Sequence, residues 1–332
     1  MIYIEPKPAD IAFNLAAEEY ITREFSLKSE EEVFMLWQTE KCVIIGRNQI
    51  AAAEIDLQAA NSLGIKIIRR SSGGGAVFSD PGNIMYTLVT PFYEPDDPKK
   101  IEREKFSEPM AKALFKIGVP AEINGRNDIT ADNKKFSGLA QYAVKNRLCS
   151  HGSMLFDADL DMLSRVLKPD FEKINSKALR SVRSRVVNLC GYFDPPISVQ
   201  KFREKLKTSL FYEKKPEIYE FTKYDEERID MIKAEKYENP DWLFGSAPKF
   251  SFNCAKRFSA GKIEVFLDAE RGFIKSVRIF GDFLGILPVE ELESKFINLP
   301  HDYAKISDIL SKTDLKPYLG NIGAKELLEC LF

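Results

Sequence analysis

The chain has 332 residues, long for one core of ordinary size, so a large domain with a smaller companion is expected. Its 48 lysines and arginines nearly balance 50 acidic residues, and a formal net charge of -2 is too weak a field to gather nucleic acid or an anionic membrane surface. Five cysteines (Cys42, Cys149, Cys190, Cys254 and Cys330), odd in number and widely spaced, argue against a disulfide framework, and no pair has metal-ligand spacing.

The opening MIYIEPKPADIAF has neither a basic leader nor a long apolar run, and no stretch approaches the roughly 18 apolar residues of a membrane span, so a cytoplasmic protein is expected. From Asp10, read as an N-cap, Phe13, Ala17, Tyr20 and Ile21 recur at helical spacing. VFMLW (33–37) and CVIIG (42–46) read as strands. A helix over 55–63 ends at Gly64, and IKIIR (65–69) is the next strand. The run RRSSGGGAVFSDPGN (69–83) follows at once, and AVF (76–78) and IMYTLV (84–89) resume strand character, so the glycines interrupt a sheet. Rossmann and P-loop glycines open a helix instead, and neither pattern is present.

Phe106, Met110, Leu114 and Ile117 mark another helix, closed by Gly118. GRNDITADNKKFSGLAQYAV (125–144) reads as two strands joined at Asp132-Asn133, RLCSHGSMLF (147–156) as a strand beside them, and 198–210 as a helix capped by Ser198. The charged stretch 211–245 reads as irregular and ends the large domain, giving domains 1–245 and 246–332. Beyond it, KFSFNCAKRF (249–258), KIEVFLD (262–268) and FIKSVRIFGD (273–282) alternate as three strands, completed by two or three helices into a small α+β module.

Three constellations could carry chemistry. Adjacent glycines let backbone N–H groups converge on an anion, and Arg69 and Arg70 bring fork-shaped donors suited to phosphate or carboxylate. A hairpin loop with solvated arginines is the other reading, and the glycines by themselves leave both open. Lys134 and Lys135 precede Ser137-Gly138 on one strand, where alternation lets only one face a cleft, and Asp128 is the nearest carboxylate for Mg²⁺. Cys149 and His151 share a strand face, and Cys190 stands before a glycine; each cysteine is either a nucleophile or a small buried hydrophobe.

In order along the chain, FNLAAEEYI (13–21), IIGRNQ (44–49), RRSSGGGAVFSDPGN, GRNDI (125–129), KKFSGLAQ (134–141), HGSMLF (151–156), SVRSRVVNL (181–189) and DWLFGSAPKFSF (241–252) resemble the long bacterial lipoate–protein ligases. The resemblance implies an α+β catalytic domain akin to biotin–protein ligases, with mixed β-sheets flanked by helices, and a small α+β C-terminal domain that moves during catalysis. It also implies a reaction in two steps. Lipoate and ATP, with Mg²⁺, form lipoyl-AMP, and the acyl group then passes to a lysine of a lipoyl-domain protein, such as a 2-oxoacid dehydrogenase E2 subunit or the glycine cleavage H protein. The enzyme is expected to act as a monomer.

Carried onto this chain, the resemblance places Arg70, Gly75, Ala76, Val77 and Phe78 at the nucleotide, and Ser72, Gly73 and Gly74 along the acyl-adenylate. Lys135 matches the lysine that touches the α-phosphate and the acyl carbonyl, which leaves Lys134 solvated. Asn83 and Asp128 match polar positions near the nucleotide, with Asp128 the expected contact to Mg²⁺, and His151 lines the acyl pocket. Many members carry His where this chain has Ser79, and a hydroxyl lacks the reach and charge of imidazole, so activity is expected to persist with altered acyl affinity. The rival within the superfamily is an octanoyl or lipoyl transferase working through a thioester on Cys190 or Cys149, without ATP.

Overall fold

Strand and helix boundaries follow local chemistry over most of the chain in the computed structural model, which describes residues 1–6, 9–28, 30–124, 128–167, 186–244, 252–270 and 272–332. Residues 125–127 of GRNDI, 181–185 of SVRSRVVNL and 245–251 of DWLFGSAPKFSF lie outside it, as does the expected boundary at 245/246. The strands are β1 (Ile2–Ile4), β2 (Val33–Trp37), β3 (Cys42–Ile45), β4 (Lys66–Arg69), β5 (Val77–Ser79), β6 (Asn83–Pro91), β7 (Ala121–Asn124), β8 (Asp128–Ala131), β9 (Lys134–Val144), β10 (Arg147–Leu155), β11 (Glu217–Tyr219), β12 (Phe252–Phe258), β13 (Gly261–Glu270) and β14 (Phe273–Gly281).

Eight of them form one mixed sheet in the order β11-β1-β2-β6-β10-β9-β8-β7. β1 runs parallel to both neighbours, while β2, β6, β10, β9 and β8 pair antiparallel. A small sheet, β4-β3-β5, flanks the glycine run, which passes from one edge strand to the other. The expected α+β architecture is what the chain adopts, with helices against the sheets.

Helix α1 (Ile11–Arg23) starts where Asp10 accepts from the Ala12 N–H at 2.9 Å, and every residue from Ile11 to Thr22 is buried. A helix sealed on all sides must find partners for Glu18 and Glu19. Glu19 receives Lys236 at 2.5 Å and the Tyr237 hydroxyl at 2.8 Å. The β8–β9 turn places Asp132 at φ 50° and Asn133 at φ 61°, the paired positive angles of a type I′ hairpin.

Two expectations change. The described part of that stretch, 211–244, is ordered into β11, a helix Lys223–Ile232, a wider turn of helix Lys233–Tyr237 and a short helix Pro240–Phe244. The helix Lys223–Ile232 starts at a capping box between Thr222 and Asp225, and buried Ile229 and Tyr237 seat this segment; charge on the outer face disguised the pattern. β7 also escaped notice, since its largely exposed AEIN offers no alternation.

The described chain divides into two units. One comprises 1–44, 55–68 and 77–239, with a core that includes Tyr86, Phe106, Phe136, Phe156 and Phe202. The other comprises 45–54, 69–76 and 240–332, with its own core around Ile263, Val265, Phe283, Phe296 and Leu327. In the second unit β12, β13 and β14 form a three-stranded sheet, joined among the described residues by helices Val289–Ser294, Tyr303–Ser311, Lys316–Leu319 and Ala324–Leu331.

Candidate active site

Lys135 comes from the start of β9, opposite β8. The register shifts between Ile129 and Thr130, so that Asp128 pairs with Gly138, Ile129 with Ser137 and Thr130 with Lys135; Phe136 is the extra residue of a bulge. Bulges re-aim side chains, and here Lys135 Nζ turns back to lie 2.7 Å from Asp128 Oδ1. The contact is ionic without an aligned hydrogen bond to that oxygen. Lys135 Nζ also stands 2.8 Å from where a Cβ on Gly138 would be, so the glycine of Lys-Phe-Ser-Gly is what gives the ammonium room. Lys134, by contrast, is exposed. With side chains 41% and 34% exposed, Lys135 and Asp128 form a paired, reachable cation and anion.

The glycine segment belongs to the second unit. Arg69, 2% exposed, is a clamp: Nε donates to Trp242 O at 2.8 Å, Nη1 to Gly46, Arg47 and Gln49 carbonyls at 3.0, 2.7 and 2.6 Å, and Nη2 to Leu243 O at 2.6 Å. Burial pulls its guanidinium down to about 10, and the carbonyls take up its donors, which corrects the reading of Arg69 as an anion ligand. Arg70 curls over its own loop, donating to Ser72 Oγ at 3.0 Å and to the Gly73 and Gly75 carbonyls at 2.6 and 2.9 Å. Gly74 sits at φ +87° with its N–H on Phe283 O at 3.0 Å, and a Cβ on Gly73 would stand 2.5 Å from that carbonyl.

Beneath α1 in the first unit lies a buried polar cluster. His151 Nδ1 meets Glu18 Oε2 at 2.7 Å; the other Glu18 oxygen accepts from Thr87, whose hydroxyl accepts from Trp37 Nε1 at 3.0 Å. Glu18, Cys149 and His151 bring ligand atoms within 4.8 Å of one another, the one such group among the described residues. Its carboxylate is engaged by Thr87 and His151, which makes it a hydrogen-bonded cluster, and burial pushes the Cys149 thiol well above its ordinary value. Burial and the Asp157 carboxylate likewise raise Cys190, the opposite of an activated nucleophile. The signal for Glu18 was present in FNLAAEEYI, as an acid inside an otherwise apolar helix.

Ser79 is fully buried at the end of β5. It accepts from Thr39 Oγ1 at 3.1 Å and Asn83 Nδ2 at 3.3 Å and donates to Met85 Sδ at 3.4 Å. Asn83 Nδ2 also faces Phe78 O at 3.4 Å, which leaves its buried Oδ1 without a partner. Val77 and Phe78 are held opposite Ile44 and Val43 by β5–β3 pairing. Thus Asp128 and Lys135 are brought together, as are Ser79 and Asn83, and Arg70 with Ser72 to Gly75; His151 pairs with Glu18. No helix among the described residues is long and apolar enough to cross a membrane.

The family model for the lipoyl protein ligase A/B catalytic domain matches residues 10–211, and that for the bacterial lipoate protein ligase C-terminus matches residues 247–331. The lipoate-protein ligase LplJ of Bacillus subtilis is 38% identical over 328 residues, 97% of either chain. Among solved structures, LipL1 of P. falciparum, in complex with lipoate, covers 99% of this chain and 97% of its own at a TM-score of 0.80 and 24% identity, a likeness of fold. A lipoate-protein ligase A bound with ATP covers 74% of this chain and 98% of its own, with a TM-score of 0.63 and 28% identity.

Proposed function

The chain belongs to the lipoate–protein ligase family, and from that premise we propose that it activates free lipoate with ATP to lipoyl-AMP, releasing pyrophosphate, then transfers the lipoyl group to a lysine of a lipoyl-domain protein. The observation that carries the site assignment is the Lys135–Asp128 pair, an ammonium aimed by a bulge and given room by Gly138. A carboxylate is a poor electrophile until adenylation supplies a leaving group. An ammonium at the α-phosphate and acyl oxygen would stabilise the charge that develops there, by about 3 kcal/mol on the scale of one oxyanion donor.

In this reading Lys135 is catalytic. Arg70, Gly75, Ala76, Val77 and Phe78 face the nucleotide, Ser72, Gly73 and Gly74 follow the acyl-adenylate, and Asn83 offers its unpartnered Oδ1 to the nucleotide. His151, held by Glu18, borders the acyl pocket. Mg²⁺ would arrive on the ATP phosphates, where it neutralises their charge; Asp128, a lone hard-oxygen donor, fits the sparse protein ligation this ion takes. The acceptors are E2 lipoyl domains and the glycine cleavage H protein. Domains 1–245 and 246–332, a monomeric state and a cytoplasmic setting belong to the same reading.

The test is mass spectrometry of a purified lipoyl domain incubated with the protein, lipoate, ATP and Mg²⁺. The domain should gain one lipoyl group only when ATP is present. No gain from lipoate and ATP, but gain from an acyl-thioester donor without ATP that is lost on replacing Cys149 and Cys190 with serine, would instead establish a thioester transferase.

A further inference from the structure

Tyr86 is a fully buried phenol on β6, separated from β9 by β10. Its ring stacks on Phe106 at a centroid distance of 4.5 Å inside an apolar core, a setting that phenylalanine would fill equally well. A hydroxyl carried into such a core costs stability unless it is bonded. It lies 2.6 Å from Ser137 Oγ and 3.4 Å from the Gly138 carbonyl, and Ser137 is itself buried with Tyr86 as its side-chain partner.

The route between them depends on Gly152, which stands opposite Tyr86 in the β6–β10 register. A Cβ there would come within 2.3 Å of the Tyr86 hydroxyl and 2.3 Å of the Gly138 carbonyl. Gly138 in turn is the residue over which Lys135 Nζ lies, and Ser137 is the first residue after the bulge that turns Lys135 toward Asp128. A bulge breaks the ladder locally, so its geometry needs a second anchor. The Tyr86 hydroxyl supplies one from two strands away.

We propose that Tyr86 is a positioning residue for adenylation: through Ser137 and the Gly138 carbonyl it holds the floor beneath Lys135 and so sets where the ammonium points. This rests on the assignment of Lys135 above. The hydroxyl touches no reacting atom, so its loss should lower the rate of the chemical step and leave substrate binding alone.

The test uses the full chain as wild type, Tyr86→Phe, Ser137→Ala and the double variant. Single-turnover formation of lipoyl-AMP is followed at saturating lipoate and ATP, alongside the KM for each substrate and the melting temperature. Loss of one buried hydrogen bond, of order 1 kcal/mol, predicts a rate about fivefold lower in Tyr86→Phe with both KM values unchanged. Ser137→Ala removes the same bond from its other end, so it should show a matching loss, and it serves alone if Tyr86→Phe does not fold. The double variant should be no slower than either single one, because the two changes delete one interaction. A Tyr86→Phe rate within twofold of wild type, or losses that add in the double variant, would overturn the role of Tyr86. A wild-type protein that forms no lipoyl-AMP would overturn the ligase reading itself.

Discussion

Arg69 and Arg70 are neighbours of one chemistry with different surroundings. Arg69 is spent on five carbonyls, while Arg70 bonds within the loop that the resemblance assigns to the nucleotide. Lys134 and Lys135 divide in the same way, one solvated and one paired. Lys135→Ala should slow lipoyl-AMP formation by roughly 10²–10³, with thermal stability nearly unchanged because a partly exposed pair contributes little. Pyrophosphate release and a melting curve on the same sample check both halves. Glu293 makes a prediction about pH. Buried, it accepts from Ile279 N at 2.7 Å and faces Arg278 at 3.3 Å, yet burial outweighs both and pushes its carboxyl up to about 7, from 4.5 when unfolded. Between those values the folded chain keeps a proton that the unfolded chain has released, so this residue's contribution to stability falls as pH rises through that window. Glu293→Gln should remove that fall, seen as a gain over wild type in urea midpoint at pH 8 that is smaller at pH 5.

Among the elements, the β8–β9 hairpin and the glycine segment show how much local pattern could convey. The turn at Asp132-Asn133 was legible because two polar residues between alternating runs point to positive φ. The bulge at Phe136 was not, since its register is a property of two strands and not of one. Three glycines spoke for close approach, but composition could not say to what. In the second unit the approach is to backbone: a Cβ on Gly46 would stand 2.0 Å from Gly74 O, whereas one on Gly75 would meet nothing within 4 Å. Gly46→Ala should therefore cost about 1–3 kcal/mol by forcing backbone apart. Gly75→Ala should change stability by less than about 1 kcal/mol. Denaturant midpoints of the two variants, equal in composition, make the comparison.

For the whole molecule, the two units each own a hydrophobic cluster, one around Tyr86 and Phe136 and one around Phe283 and Phe296. Separate cores predict separate cooperative transitions, so calorimetry should give an enthalpy exceeding the van't Hoff value. Phe296→Ala, which empties a fully buried site in the second core, should lower one transition by an amount equivalent to about 3–5 kcal/mol and leave the other in place. A single transition that shifts as a whole would count against two independent cores.

By itself the sequence determined the α+β class, most strands and helices, the turn residues and the motif order that points to lipoate ligation. These features are set by neighbours: an N-cap acts within one turn, and alternation declares a strand over a few residues. Tertiary structure decided which polar groups meet. Glu18 finds His151 across 133 residues, and Tyr86 finds Ser137 across 51. It also decided that the segments 45–54 and 69–76 cluster with 240–332, and that Arg69 and Gly74 spend their donors there. No period along the chain encodes such meetings, because they depend on strand order, register and the cost of leaving a buried donor or acceptor without a partner.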